Sequence, residues 1–188
     1  MRNSIERVLI DQKSIQDKVK ELAADISRDY RGKKLVIVGV LKGAVVFLGD
    51  LVKNIDVPLM LDFIAVSSYG STTETSGVVR ILKDLDNSIE GMDVLIVEDI
   101  IDSGLTLCYL MENLKSRGAN SIKICALLDK PYRRKADVKV DYKGFEIEDE
   151  FVVGYGLDFA ERFRNLPEIC VLKPEEYNNS KNCVCRRV

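Results

Sequence analysis

The sequence contains no histidine. This absence excludes three kinds of site together: the serine–histidine–aspartate triad, zinc held by imidazole, and acid–base catalysis by an imidazole near neutral pH. Any proton transfer must therefore use aspartate, glutamate, lysine, tyrosine or cysteine side chains.

Long apolar segments and a strong charge of one sign are also missing. No apolar run approaches the roughly 20 residues that cross a bilayer, and the start, MRNSIERVLIDQK, lacks the apolar core of a signal peptide. With 28 basic and 30 acidic residues the net charge is −2, so no bulk attraction to a polyanion is expected. These features predict a protein that binds neither membrane nor nucleic acid.

The cysteines do not suggest a disulfide scaffold. Their number, 5, is odd, and they lie in apolar stretches or close to the C-terminal end. This usage is typical of a reducing compartment and predicts a cytoplasmic location. Two of them form a lone CxC pattern, which is too little for a metal site. The cysteines are Cys108, Cys125, Cys170, Cys183 and Cys185.

The chain has 188 residues, of which 46% are hydrophobic, and this suits one domain with a sizeable core. We predict a single domain over residues 1–176 and a disordered tail over residues 177–188. Strands and helices alternate, which predicts an α/β fold with a mainly parallel sheet flanked by helices. After Pro131 the chain is expected to be irregular apart from ICVL at 169–172. The predicted helices are 13–31, a stretch ending at about residue 53, and 104–118; the predicted strands are 34–40, 57–69, 78–85, 93–100 and 121–130.

Residues 94–106, VLIVEDIIDSGLT, place three carboxylates after a run suited to a buried strand. Because burying an unpaired charge is costly, Glu98, Asp99 and Asp102 are expected where the strand ends, facing water, a cation or a polar ligand. Gly104 lets the backbone approach a ligand closely, and the hydroxyls of Ser103 and Thr106 add donors beside a helix start. Such a loop can bind a phosphate monoester. The alternative is a strand end whose acids are simply solvated.

This stretch resembles the phosphoribosyl-pyrophosphate (PRPP) signature of the type I phosphoribosyltransferases. Four further segments resemble the bacterial hypoxanthine(-guanine) phosphoribosyltransferases, and the resemblance extends from about Lys33 to Pro174. The segments are LKGA (41–44), SSYG (67–70), LLDKPYRRK (127–135) and GFEIEDEFVVGYGLDFAERFRNLP (144–167). The resemblance implies a small hood formed by the terminal segments and transfer of a phosphoribosyl group to a 6-oxopurine, with release of pyrophosphate.

The resemblance also implies roles for single residues on the PRPP side. Asp102 matches the general base that contacts the purine N7. The family carries a cis peptide bond between the residues that match Leu41 and Lys42. The 5′-phosphate matches fall on Ser103, Gly104, Leu105 and Thr106, the pyrophosphate matches on Lys42, Gly43 and Arg164, and the ribose matches on Glu98 and Asp99, acting directly or through Mg²⁺.

On the purine side, Lys130 matches the donor to the exocyclic oxygen, Phe151 the stacking aromatic and Val152 the backbone group that reads the base edge. Asp158 matches a Mg²⁺ ligand near the purine and pyrophosphate. Ser68 and Tyr69 match the start of a closing loop, and the polar stretch through Gly77 is expected to be mobile.

Blander interpretations remain open from the residues alone. Lys42 could be a solvated lysine in a turn, and Lys130 a strand-end lysine beside Asp129. Phe151 could be a core residue, and Asp158 with Arg164 a surface ion-pair cluster. The basic cluster 133–135 is expected to be a solvated turn. A phosphoribosyltransferase for another base and a regulatory nucleotide-binding module are the competing functions. The family implies a homodimer or homotetramer.

Overall fold

The computed structural model of the chain describes residues 2–68 and 79–178. Strands and helices alternate through most of this length, as predicted. The strands are β1 (Ile5–Ile10), β2 (Leu35–Leu41), β3 (Leu59–Ser68), β4 (Val79–Lys83), β5 (Asp93–Ile101), β6 (Ser121–Asp129), β7 (Tyr142–Glu146), β8 (Val152–Val153) and β9 (Ile169–Leu172). The helices are α1 (Gln12–Asp29), α2 (Val45–Asn54), α3 (Leu105–Ser116) and α4 (Pro174–Asn178).

Six strands form the central sheet in the order β4-β3-β2-β5-β6-β7. All neighbouring pairs are parallel except β3 with β4, which is antiparallel. The inner strands β2 and β5 are buried along nearly their whole length, because a parallel sheet covered on both faces requires continuous apolar runs. The predicted mainly parallel α/β sheet is confirmed.

Helices cover both faces of this sheet. Side chains alternate along a strand. Ile37 and Leu95 therefore belong to the apolar core on the face covered by α1 and α2, whereas Val36 and Ile96 belong to the core on the face covered by α3. Helix α1 begins after Asp11, whose carboxylate accepts a hydrogen bond from the backbone N–H of Ser14 at 2.9 Å. Within residues 2–68 and 79–178, no helix is long and apolar enough to cross a membrane.

The terminal segments form a second, smaller sheet with the order β1-β9-β8. Both pairings are antiparallel, and a separate apolar cluster lies beneath them, including Phe163, Leu166 and Leu172. This sheet is the hood that the resemblance implies.

Two parts of the sequence prediction were wrong at the level of elements. Residues after Pro131 were expected to be irregular, but Tyr142–Glu146 adds a further strand to the sheet, parallel to β6. Gly144 permits it, because a Cβ atom there would overlap the carbonyl oxygen of Leu127. The N-terminal strand β1 was not predicted. The division between domain and tail at residue 176 stays a prediction, since residues 179–188 lie outside the described chain.

Candidate active site

The candidate site lies at the carboxyl ends of β2, β5 and β6, where open α/β sheets bind ligands. These three strands are adjacent and parallel, so the loops that follow them meet at one edge. Lys42 and Gly43 follow β2, Asp102 follows β5, and Lys130 follows β6. The sequence motifs, far apart along the chain, are therefore brought together.

The predicted phosphate loop turns directly into α3. Gly104 adopts a left-handed conformation with φ 78°, and the helix begins at Leu105. A Cβ atom at Gly104 would lie 3.0 Å from Cδ of Arg134, so the loop is covered closely from that side. A cavity of about 230 Å³ opens over the loop. Its lining includes Glu98, Asp102, Ser103, Gly104 and Thr106.

The phosphate loop is also fixed by the segment after β6. The carbonyl oxygen of Ser103 accepts hydrogen bonds from the backbone N–H groups of Lys135 at 2.9 Å and Ala136 at 3.1 Å. One peptide carbonyl therefore connects the candidate phosphate loop to the segment that follows β6.

Glu98 and Asp99 do not lie at a strand end, and this corrects the sequence expectation. Strand β5 continues to Ile101, and the two carboxylates are only 9% and 8% exposed. The strand is longer because β6 pairs with it as far as Asp129, which lies opposite Ile101. The two acids are thus buried near the carboxyl end of β5 and are not exposed to solvent.

Burial dominates the electrostatics of these two acids. Desolvation, and then the negative charge of Asp99, hold the pKa of Glu98 well above its usual range. Burial likewise raises the pKa of Asp99, although the backbone N–H of Ile100 donates to its carboxylate at 2.8 Å. A pair in this state favours binding of a cation or of hydroxyl donors.

The loop after β2 lies against Asp99. A Cβ atom at Gly43 would overlap Oδ2 of Asp99, and a Cβ atom at Gly156 would overlap the carbonyl oxygen of Gly43. The peptide bond between Leu41 and Lys42 is cis, as the resemblance implies. The loop after β2, the end of β5 and the segment around Gly156 thus meet so closely that no side chain fits at Gly43 or Gly156.

Asp102 forms an ion pair with an arginine of the same chain. Nε of Arg133 lies 2.6 Å from Oδ1 of Asp102, and Nη1 of Arg133 donates to both carboxylate oxygens of Asp149 at 3.0 and 3.1 Å. The neighbouring Arg134 forms an ion pair with Asp129, and both side chains are largely buried. The expectation of a solvated turn is confirmed for Arg133 and Lys135, which are exposed, and is wrong for Arg134, which is only partly exposed.

A second cavity, of about 460 Å³, contains the residues predicted to bind the purine. Lys130 is only 8% exposed, and its ammonium donates to the carbonyl oxygen of Glu150 at 2.7 Å. Phe151 is 39% exposed, which excludes the core alternative for its ring. The lining includes Ile100, Asp102, Lys130, Arg133, Phe151, Val152, Asp158 and Tyr177.

The ring of Phe151 is held by two other aromatic rings. Tyr177 of α4 stacks on it with the ring centroids 5.0 Å apart and the planes at 18°, and Phe159 meets it at 5.4 Å and 89°. Both geometries are favourable for aromatic pairs. Val152 lies beside this cluster in β8, buried and paired with Val171.

Asp158 and Arg164 face each other. Nη2 of Arg164 lies 2.7 Å from Oδ1 of Asp158, and Nη1 donates to the carbonyl oxygen of Gly156 at 2.8 Å. Glu161 lies between this arginine and Lys42, within 3.3 Å of Arg164 and 3.2 Å of Lys42. The predicted pyrophosphate residues therefore form one cluster.

Sequence reasoning missed three contributors to this site: Glu161, Tyr177 and the Asp102 contact of Arg133. Glu161 could have been suspected from its position inside DFAERFR; the other two carry no local signal. Ser68 ends β3, and Tyr69 lies outside the described residues, as do Cys183 and Cys185. The closing loop stays a prediction. Within residues 2–68 and 79–178, no three His, Cys, Asp or Glu side chains are grouped to hold a metal.

Comparisons with known proteins agree on one family. The phosphoribosyl transferase domain matches residues 9–160. The hypoxanthine-guanine phosphoribosyltransferase of Bacillus subtilis is 59% identical over 179 residues, which is 95% of this chain and 99% of that protein. The protein of the same name from Staphylococcus aureus is 54% identical over 179 residues, covering 95% of this chain and all of that protein.

A solved structure agrees with these relatives. The crystal structure of a hypoxanthine phosphoribosyltransferase from Staphylococcus aureus superposes with a TM-score of 0.92 at 54% identity, covering 94% of this chain and 96% of that one. The chain is therefore a transferase that belongs to the phosphoribosyl transferase family and, within it, to the hypoxanthine-guanine phosphoribosyltransferases.

Proposed function

We propose that the protein transfers the 5-phosphoribosyl group of PRPP to hypoxanthine or guanine, giving IMP or GMP and pyrophosphate. The observation that carries this proposal is the shared cavity of Lys130, Asp102 and Phe151. A cation, a carboxylate and an aromatic face match the exocyclic oxygen, the ring N–H and the π-face of a 6-oxopurine. The names of the similar proteins support the same substrates.

Selection of the base follows from the chemistry of Lys130. Its ammonium offers donors and no acceptor, so the oxygen of hypoxanthine or guanine satisfies it. The amino group of adenine accepts no hydrogen bond from this ammonium, so one of its donors would lose a partner although the bond to Glu150 remains. A site built to bond one polar group rejects an analogue that lacks it.

Asp102 serves as general base in this proposal. The bond from C1′ to the pyrophosphate oxygen breaks, and its electron pair leaves with pyrophosphate, while the purine N9 forms the new bond to C1′. The proton lost from the purine ring passes to the Asp102 carboxylate. A histidine-free chain must use such a group, and its position beside Lys130 puts it within the same cavity.

The phosphate groups of PRPP are assigned to two separate parts of the site. Ser103, Thr106 and the first amides of α3 bind the 5′-phosphate, because a helix start offers unpaired N–H groups. Lys42 and Arg164 bind the pyrophosphate. Glu98 and Asp99 accept hydrogen bonds from the ribose hydroxyls.

We propose Mg²⁺ as the cofactor. The buried pair Glu98 and Asp99 repel each other, and Asp158 adds a carboxylate at the pyrophosphate cluster, so oxygen donors suited to this cation are present. The described residues supply no three-residue protein cage, which fits a cation that keeps water and takes oxygens from the substrate. When bound, Mg²⁺ would neutralise charge on the departing pyrophosphate.

Two coarser features support further proposals. Cys108, Cys125 and Cys170 are free thiols, in keeping with a cytoplasmic protein.

Met60, Leu61 and Leu82 expose 43%, 45% and 62% of their surface on β3 and β4. We propose that they contribute to a homodimer or homotetramer, because large apolar side chains exposed at the edge of a sheet are candidates for burial in a protein interface. Light scattering after size exclusion tests this, and a monomer at micromolar concentration would contradict it.

The function is tested by initial rates with PRPP and Mg²⁺ against hypoxanthine, guanine, xanthine and adenine. We expect activity with hypoxanthine or guanine and none with adenine. Activity with adenine alone would overturn the assignment of Lys130, and no pyrophosphate release with any base would overturn the proposal.

A further inference from the structure

One carboxylate joins the two cations assigned to pyrophosphate. Oε1 of Glu161 lies 3.2 Å from Nζ of Lys42, and Oε2 lies 3.3 Å from Nη2 of Arg164. Lys42 and Glu161 are separated by 119 positions in the chain, so the contact is tertiary and not a local helix pair.

Glu161 is presented by a turn that the protein holds in an uncommon conformation. Ala160 and Glu161 both have positive φ values, 53° and 59°, which residues other than glycine rarely adopt. The backbone N–H and C=O groups of Phe159 and Arg162 pair reciprocally at 3.1 Å. The backbone N–H of Glu161 donates to Asp158 at 2.8 Å. Glu161 therefore reaches the cations from a defined position.

The partners of Glu161 remain available to a ligand. Side chains of Lys42 and Glu161 are 70% and 66% exposed, so water and solutes reach their contact. Among the described residues, Nε of Arg164 is buried without a hydrogen-bond partner. Because this atom is out of contact with solvent, a ligand reaches Arg164 through its Nη nitrogens, which contact Gly156, Asp158 and Glu161.

The charges favour an exchange of partners. Hydrogen bonds from Lys42 and then Arg164 hold the pKa of Glu161 below its usual range, so the carboxylate stays ionised at neutral pH. Exposed ion pairs are weak, and pyrophosphate carries more negative charge and more acceptor oxygens than one carboxylate. An incoming diphosphate can therefore replace Glu161 at both cations.

We propose that Glu161 is an internal counter-ion that occupies the pyrophosphate site of the free protein and is displaced when a diphosphate binds. The proposal rests on the assignment of Lys42 and Arg164 to pyrophosphate. Its consequence is that Glu161 weakens diphosphate binding, because every binding event must first break its two contacts.

The test is calorimetric titration of inorganic pyrophosphate, with and without Mg²⁺, into the wild-type chain and the variant Glu161→Gln. The amide keeps the shape and removes the charge, so we expect about 3–10-fold tighter binding by the variant. The gain should shrink in 1 M salt, where exposed charges are screened. In kinetics, the KM for PRPP should fall while the KM for hypoxanthine is unchanged.

A matched control is Glu21→Gln, which removes an equally exposed carboxylate paired with Lys18 on α1 and should not alter pyrophosphate affinity. Thermal melting establishes that both variants fold. If the wild-type chain binds no pyrophosphate, the assignment of Lys42 and Arg164 fails. If it binds and Glu161→Gln binds equally or more weakly, this inference alone is wrong, and weaker binding would make Glu161 a supporting residue of the site.

Discussion

Gly43 and Asp99 are so close that a single methyl group on the glycine would overlap a carboxylate oxygen of the aspartate. The contact joins the loop after β2 to the middle of the buried acidic pair. Since Asp99 is fixed within β5, a side chain at residue 43 must be accommodated by moving the loop that carries Lys42.

We therefore expect Gly43→Ala to lower kcat/KM for PRPP by about 100-fold, the scale that a 1 Å misplacement can cause. The fold should be retained, because the loop lies at the surface of the site. Initial rates at varied PRPP, together with a thermal melt, measure the two effects. Gly49→Ala is the matched control, since nothing lies within 4 Å of a Cβ atom at that helical position. It should keep full activity and gain about 0.5–1 kcal/mol in free energy of unfolding.

Asp102→Asn removes the proposed base and keeps its size. We expect kcat to fall by about 10²–10⁴-fold, with KM for PRPP changed little, because the phosphate contacts remain. Steady-state kinetics with hypoxanthine provide the measurement. Asp137→Asn removes an exposed carboxylate from the loop nearby and should leave kcat unchanged. Near-normal turnover in Asp102→Asn would exclude this side chain as the base.

Lys130→Met retains the apolar stem of a largely buried side chain and deletes the cation. We expect kcat/KM for hypoxanthine to fall by about 10–100-fold, since a hydrogen bond to a charged group contributes about 1.5–3 kcal/mol. Discrimination against adenine should weaken at the same time. Lys139→Met, at an 86% exposed lysine paired with Asp141, is the control and should behave as wild type. Unchanged selectivity between the two bases would contradict the role of Lys130.

Glu98 should make the metal-free protein less stable as the pH rises. Its folded-state pKa is raised, so the folded protein binds more protons than the unfolded chain between the usual carboxyl pKa and the raised one. The contribution of Glu98 to the free energy of unfolding is therefore fully present below the pKa that Glu98 has in the unfolded chain. It is lost as the pH rises through the pKa that Glu98 has in the folded protein. Urea unfolding at pH 5 and pH 8 measures this difference.

In Glu98→Gln the free energy of unfolding should differ less between pH 5 and pH 8 than in the wild type, because the amide does not titrate. Glu90→Gln, at an exposed side chain in the turn before β5, should leave it as in the wild type. An identical pH dependence in Glu98→Gln and wild type would show that the acidic pair carries no such penalty.

The parts of the fold that could be predicted are those encoded locally. Continuous β-branched runs identify β2 and β5, and helical spacing identifies α1 and α3, because burial on two faces or one face leaves a periodic pattern. The candidate phosphate loop could be proposed for the same reason: its glycine, hydroxyls and acids are consecutive in the chain.

What could not be predicted depends on pairing between distant segments. Strand β1 is defined by its partner β9, and the length of β5 is set by β6, which is why Glu98 and Asp99 were expected at a strand end. Arg133 reaches Asp102 only because the segment after β6 folds across the phosphate loop. A single sequence carries no local pattern for such contacts.

The two hydrogen bonds that the Ser103 carbonyl accepts from residues 135 and 136 couple the candidate phosphate loop to the segment that follows β6. An insertion or loop exchange near Tyr132, made to alter the choice of base, is therefore expected to displace the candidate phosphate loop as well. Engineering of this enzyme for new heterocycles should therefore begin at Phe151, whose ring contacts are with Phe159 and Tyr177.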